Sequence, residues 1–243
     1  MKEKSDIKHS RLANLLFFSI VIIISAFLSK ALHVDEDTVK DKQLSVIKRL
    51  EREYHESVDL GLSVKWATCN VGANSPEEFG GYYRWGAIDE GDCKPLFIQS
   101  RKYRYNISGS QYDVARIKWG GSWRVPTRYE IQELVEKCTQ KWTTYNGVNG
   151  ALVTGPNGNR IFLPAAGYLR MSHSIMQEDR LEKYRDDYGA YWSATSTWQG
   201  NGRPSYSAHT LNFEIFSSNF RFEELSYMSQ FRACPVRPVC DYD

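Results

Sequence analysis

The chain has 243 residues, 42% hydrophobic and 14% aromatic, enough for one substantial core and too few for two comfortable domains. Its formal net charge is +2, with Lys, Arg, Asp and Glu interspersed along its length. That balance leaves no basic stripe to grip a phosphate backbone, so nucleic acid is not an expected partner.

Lys2, Lys4, Lys8 and Arg11 precede an apolar run over residues 12–28, broken by Asn14, Ser19 and Ser25. A charged start before such a run is the pattern of an export signal or a membrane anchor. The run falls between the apolar core of a cleaved signal and the roughly 20 residues that cross a bilayer, so both readings stand. Ser29 and Ala31 offer small residues for cleavage, and no cysteine follows that a lipid anchor would need. Either way, positive charge before the run sends the remainder out of the cytoplasm. Residues 1–32 therefore read as a signal peptide or transmembrane helix, and the expected location is the extracytoplasmic cell envelope, membrane-anchored or secreted. Residues 33–57 read as a polar stalk or linker helix, with Leu44, Ile47 and Leu50 at helical spacing among charged residues.

From Val58 to the end, residues 58–243, the texture changes to short β-prone runs separated by Gly, Asn and Pro. Strands are expected over 64–70, 82–85, 142–145, 151–154, 160–163, 191–195, 208–213, 216–222 and 231–239. Turns are expected at Asn146-Gly147, Asn149-Gly150 and Pro156-Asn157-Gly158, whose residues tolerate positive φ. Thr127 and Glu130 have the spacing of a capping box, and Ile131, Leu134, Val135 and Cys138 then repeat on one face, which predicts a helix over 128–138. A shorter helix is expected near 111–118. Trp66, Trp85, Trp119, Trp123 and Trp192 stand beside glycines or small residues and read as core aromatics packing irregular loops.

The five cysteines, Cys69, Cys93, Cys138, Cys234 and Cys240, leave at least one unpaired, and a disulfide or two suits an exported chain. There is no CxxC, and the five histidines fall at no zinc-ligand spacing, so neither a metal nor another cofactor is expected.

Several tracts occur in a telling order: residues 58–73 (VDLGLSVKWATCNVGA), 80–86 (GGYYRWG), 119–127 (WGGSWRVPT), 162–168 (FLPAAGY), 191–195 (YWSAT) and 236–239 (VRPV). As a set they resemble the Fibrobacter succinogenes major paralogous domain family of bacteria, across most of Val58 to Cys240. The resemblance implies an α+β, C-type-lectin-like fold of irregular antiparallel sheets with one or two short helices, related to the formylglycine-generating enzymes. It also implies that the last strand lies beside the first, with residues 231–239 against 64–70, bringing Cys69 toward the terminal cysteines. The calcium site of true C-type lectins needs Glu-Pro-Asn or Gln-Pro-Asp with Trp-Asn-Asp, and this sequence has none of them.

Three function classes follow. Recognition is favoured by residues 171–219, where Tyr184, Tyr188, Tyr191, Trp198, Tyr206, His209 and Asn212 sit among long polar stretches. Rigid rings supply contact area at little entropic cost, while Asn and Ser adapt. Tyr184, Tyr188, Trp198, Tyr206 and His209 are the candidate ligand-binding residues, on loops 180–188 and 197–206, for an extracytoplasmic glycan or protein, with Trp198 and Tyr206 as stacking platforms. The alternative is a structural envelope or fimbria-associated subunit. The third is a divergent formylglycine-generating-type enzyme using Cys234 and Cys240. No Ser-His-Asp order, phosphate loop or isolated carboxylate pair supports catalysis, and a non-enzyme is expected.

Overall fold

In the computed structural model the described residues are 40–42, 55–90, 105–170, 186–198 and 204–242. The chain divides into two units, Met1–Tyr54 and His55–Asp243. Of the first, Lys40, Asp41 and Lys42 are described, helical and exposed. The apolar run 12–28 lies outside the described residues, as does most of the expected stalk. Among the described residues no helix is long and apolar enough to cross a membrane.

Among the described residues the second unit is strand-rich, with two short helices among antiparallel strands. One sheet joins β1 (Ser57–Val58), β2 (Lys65–Ala67) and β12 (Val239–Cys240). A second joins β3 (Tyr83–Arg84), β11 (Arg232–Cys234) and β7 (Leu169–Arg170). The third is a meander of β4 (Thr139–Tyr145), β5 (Val148–Thr154) and β6 (Arg160–Pro164). The largest joins β8 (Tyr188–Trp198), β9 (Pro204–Phe216) and β10 (Asn219–Ser229), with β9 central. Helix α1 is Val114–Trp119 and helix α2 is Arg128–Lys137, close to the helices expected.

Helix α2 begins where its capping box says it should. Thr127 accepts from the Glu130 amide, and the Glu130 carboxylate accepts from the Thr127 amide at 2.7 Å. Arg124 grips this box. Its guanidinium meets both Glu130 oxygens at 2.9 and 2.6 Å and Asp241 at 2.7 Å. Two carboxylates in reach make the ionic arrangement stronger than neutral acceptors would be. Helix α1 is capped by the buried Asp113, which accepts amides from Gly109, Arg116 and Val125. Burial pushes its carboxyl up from the ordinary range against the pull of those donors.

Two corrections concern turns. Residues 216–222, expected as one strand, contain a reversal: Phe216 ends β9 and 219–222 begin β10, while Ser217 and Ser218 between them carry φ of 48° and 68°. A two-residue hairpin turn of type I′ needs positive φ at both positions, and serines hide that signal because Gly, Asn or Asp usually supplies it. Asn149-Gly150, expected as a turn, lies inside β5. A Cβ on Gly150 would come 2.3 Å from the Leu163 carbonyl of the neighbouring strand, so this glycine permits close approach rather than reversal.

The centre of the largest sheet, residues 190–194 of β8 and 210–213 of β9, is buried on both faces. Strand alternation sends Trp192, Ala208 and Met228 into a core with Trp85, Trp119, Trp123 and Cys234. It sends Tyr191, Leu211 and Phe213 into a second core with Trp66, Leu163 and Ile131 and Leu134 of α2. All five tryptophans expected inside are buried. The expected terminal pairing splits in two: β12 lies against β2, with Val239 opposite Trp66, whereas β11 pairs with β3 and β7. Pro235 and Pro238 cannot donate to a ladder, so one continuous strand over 231–239 is ruled out.

Between the two cores lies Arg237, 1% exposed. Its Nε donates to Asn70 Oδ1 at 2.8 Å, Nη1 to the carbonyls of Ala67 (3.1 Å) and Thr68 (2.5 Å), and Nη2 to the Phe162 carbonyl (2.9 Å). Burial lowers the pKa of this guanidinium, and its neighbours are neutral acceptors. Replacing it with Met would strand those acceptors. We expect Arg237→Met to cost about 3 kcal/mol or more of unfolding free energy in a urea titration, because each buried orphan loses roughly 1–3 kcal/mol. A midpoint equal to wild type would refute this account of the residue.

His55 opens the unit by stacking on Trp119, ring centroids 3.7 Å apart and planes 13° from parallel, with Trp123 edge-on. Burial lowers its pKa from 6.5 to about 4. Between those values the unfolded chain takes up a proton that the folded chain refuses, so stability falls as pH drops from 6.5 toward 4 and the contribution then levels off. His55→Phe keeps a stacking ring and removes the titration. Relative to wild type, its stability should decline less across that window in thermal melts, with equal declines arguing against the assignment.

Candidate functional site

Four of the five candidate residues fall on the β8–β9 hairpin, in strands rather than loops. Tyr184 lies outside the described residues. Tyr188 is the first residue of β8, opposite Glu214. Trp198 is the last, opposite Pro204, so residues 197–198 and 204–206, expected as loop, extend the two strands. Their polar composition mimics a loop, but main-chain pairing across the hairpin does not need apolar side chains. Tyr191 and Asn212, noted with them, are interior: Tyr191 is 2% exposed with its hydroxyl on the Pro164 carbonyl, and Asn212 is 4% exposed.

Strand alternation separates the remaining pair. Tyr206 and His209 are three residues apart on β9, so their side chains leave opposite faces of the sheet. Tyr206 shares its face with Ala208 of the tryptophan-rich core, while His209 shares its face with Leu211 and α2. The two cannot serve one compact site.

Around Tyr206 the structure adds residues that the sequence reading missed. Its ring is 53% exposed and lies nearly parallel to Phe231, centroids 6.1 Å apart and planes at 21°. The Arg84 guanidinium sits 5.1 Å over the Phe231 ring. The main chain clamps the arrangement, since the Gln230 amide donates to the Tyr206 carbonyl at 2.8 Å. The next residue, Arg232, lies 4.4 Å over the ring of Tyr168, which meets Tyr188 edge-on at 5.9 Å. Burial raises the pKa of the Tyr188 phenol, with the nearby Cys234 and Tyr168 adding to the effect. Phe231-Arg232 thus joins two aromatic groups, each backed by a guanidinium. The clue in the sequence was the adjacency of ring and cation, but Arg84 lies 147 positions before Phe231 and nothing local connects them.

Such a surface can stack and donate hydrogen bonds. Rings fixed by strand pairing lose little entropy on contact, and guanidinium groups behind them hold their orientation. It offers no prepared nucleophile. Cys234 is fully buried, its sulfur 3.5 Å from that of Met228, and burial raises the pKa of its thiol. Cys69, Cys138 and Cys234 carry free thiols, so none of the three takes part in the disulfide or two expected from the sequence. Among the described residues no group of three or more His, Cys, Asp or Glu is arranged to hold a metal. A cavity of about 10 Å³ beside Trp85, Ile107, Tyr112 and Trp192 has room for a water and nothing larger.

No protein-family model, curated protein or solved structure matches the chain. The case for a site therefore rests on this geometry.

The thiol chemistry is directly checkable. In the native protein Cys234 should stay unmodified by a thiol reagent at neutral pH and react only as the chain unfolds, followed by mass spectrometry of digested samples. Prompt native labelling of Cys234 would restore a reactive-cysteine reading.

Proposed function

We propose that the chain is an exported, membrane-tethered recognition module of the bacterial envelope that binds a surface glycan or protein through the Tyr206 face of the β8–β9 hairpin. We assign it to the Fibrobacter succinogenes major paralogous domain family and to a C-type-lectin-like fold. Support for that assignment comes from the ordered tracts and from the way they are used. The Trp-Gly-Gly-Ser-Trp tract connects α1 to the capped α2, and the Val-Arg-Pro-Val tract returns to β2 near the start of the unit. The charged start and apolar run of residues 1–32 support export.

The observation that carries the binding reading is the exposed Tyr206 ring, held on a paired strand and braced by Phe231. A large ring left half in water, when the same strand buries Ala208, Leu211 and Phe213 completely, is a surface kept for contact. A non-catalytic role is supported by the buried state of Cys234. Trp198→Ala with Tyr206→Ala should abolish capture on glycan and protein arrays. Because surface changes alter stability by roughly 0.5 kcal/mol, the melting temperature should stay within about 2 °C of wild type. Capture at wild-type level by this double variant would reject the site.

A further inference from the structure

On the opposite face of the same sheet, two buried nitrogens have no hydrogen-bond partner: Arg128 Nε and His209 Nδ1. They belong to one neighbourhood. Helix α2 packs Ile131 and Leu134 against Leu211 and Phe213 of β9, which sets its first residue, Arg128, at the level of His209. The Arg128 amide donates to Thr195 Oγ1 of β8 at 3.2 Å, pinning the helix start to the sheet. The positive charge of Arg128 acts on His209, whose pKa is lowered chiefly by burial and further by that charge. Neighbouring arginines are fully engaged, Arg124 by Glu130 and Asp241 and Arg237 by four acceptors. Arg128, by contrast, has no carboxylate paired with it among the described residues. Buried polar groups in folded proteins are nearly always satisfied, so two adjacent orphans call for something to complete them.

The surroundings indicate what. Tyr227, directly across from His209 on β10, is 71% exposed, and Tyr129, beneath the Arg128 guanidinium at 4.8 Å, is 68% exposed. Cross-strand partners share a face, so Tyr227 stands beside His209. An unpaired guanidinium matches an oxyanion in charge and in its forked geometry. Two exposed tyrosine rings beside it present flat apolar faces with hydroxyl edges, suited to the C–H face and hydroxyls of a sugar.

We propose that Arg128 and His209, flanked by Tyr129 and Tyr227, form a second binding site that takes a sugar carrying an oxyanion, a carboxylate or a sulfate. The site stands on its own observations and does not depend on the Tyr206 surface. Arg128 supplies the charge contact and the tyrosines the stacking faces, while the buried ring nitrogen of His209 can bond the ligand only after the imidazole shifts toward it.

Calorimetric titration of the full chain tests it with four probes: methyl glucuronoside, glucose 6-sulfate, methyl glucoside and N-acetylglutamate amide. We expect at least one anionic sugar to bind about tenfold or more tightly than methyl glucoside and than the glutamate derivative. Arg128→Gln should remove that preference with an unchanged melting temperature, since the Arg128 side chain makes no hydrogen bond that folding would lose. Tyr129→Ala and Tyr227→Ala should each weaken the anionic sugar severalfold. Equal affinity for charged and neutral sugars, no binding up to about 10 mM, or an Arg128→Gln protein that keeps the preference would overturn the proposal. A glutamate derivative as tight as the sugars would overturn the sugar class.

Discussion

A guanidinium buried to 1% exposure with no carboxylate opposite must find neutral acceptors for its donors, and Arg237 finds them on two stretches of chain far apart in sequence, residues 67–70 and Phe162. The end of β2 contributes Ala67 and Thr68, the following loop contributes Asn70, and β6 contributes Phe162. Because the acceptors are mostly main-chain carbonyls, the arrangement specifies backbone position rather than side-chain identity. It ties the C-terminal segment to the first sheet and to the β4–β6 meander at one point. The flanking Val236 and Val239 then enter different cores, so the same four residues bind the two halves of the interior together.

With the C-terminal segment held there, the centre of the β8–β10 sheet is enclosed on both sides. The aromatic groups in and around it spend their polar atoms on main-chain carbonyls: Trp192 on Tyr83, Trp85 on Ser193, and Tyr191 on Pro164. These bonds let large rings pack among irregular loops without orphaned donors. Against that background, rings left in water on the same sheet carry information. Tyr206 emerges at the hairpin end of one face, Tyr227 on the other. The first is braced by an aromatic neighbour with a guanidinium behind it, the second stands beside a guanidinium that lacks its anion. Both surfaces follow from one central strand, β9, which projects alternate residues to opposite sides.

The arrangement also shows why a list of candidate residues in one sequence window misleads. Tyr188, Trp198, Tyr206 and His209 share a hairpin, but position within it decides which surface each belongs to. Tyr188 is drawn half inside against Tyr168, and His209 turns toward α2. Their effective neighbours, Arg84, Phe231, Arg232 and Arg128, come from other elements.

Local chemistry was legible from the residues alone. Thr127 and Glu130 announced the start of α2 because a capping box is complete within four residues, and Asn146-Gly147 announced its turn because positive φ favours those two types. The short β-prone runs and the five buried tryptophans followed from composition and pattern. What the amino acids could not declare was everything set by contacts across the chain. The serine reversal at Ser217 and Ser218 is imposed by the β9–β10 pairing, the glycine at 150 is required by a neighbouring strand, and β11 parts from β12 at prolines whose partners lie elsewhere. Which exposed ring faces which cation depends on strand register and helix packing, and those are fixed only when distant segments meet, because a one-residue shift in register sends every side chain to the other face.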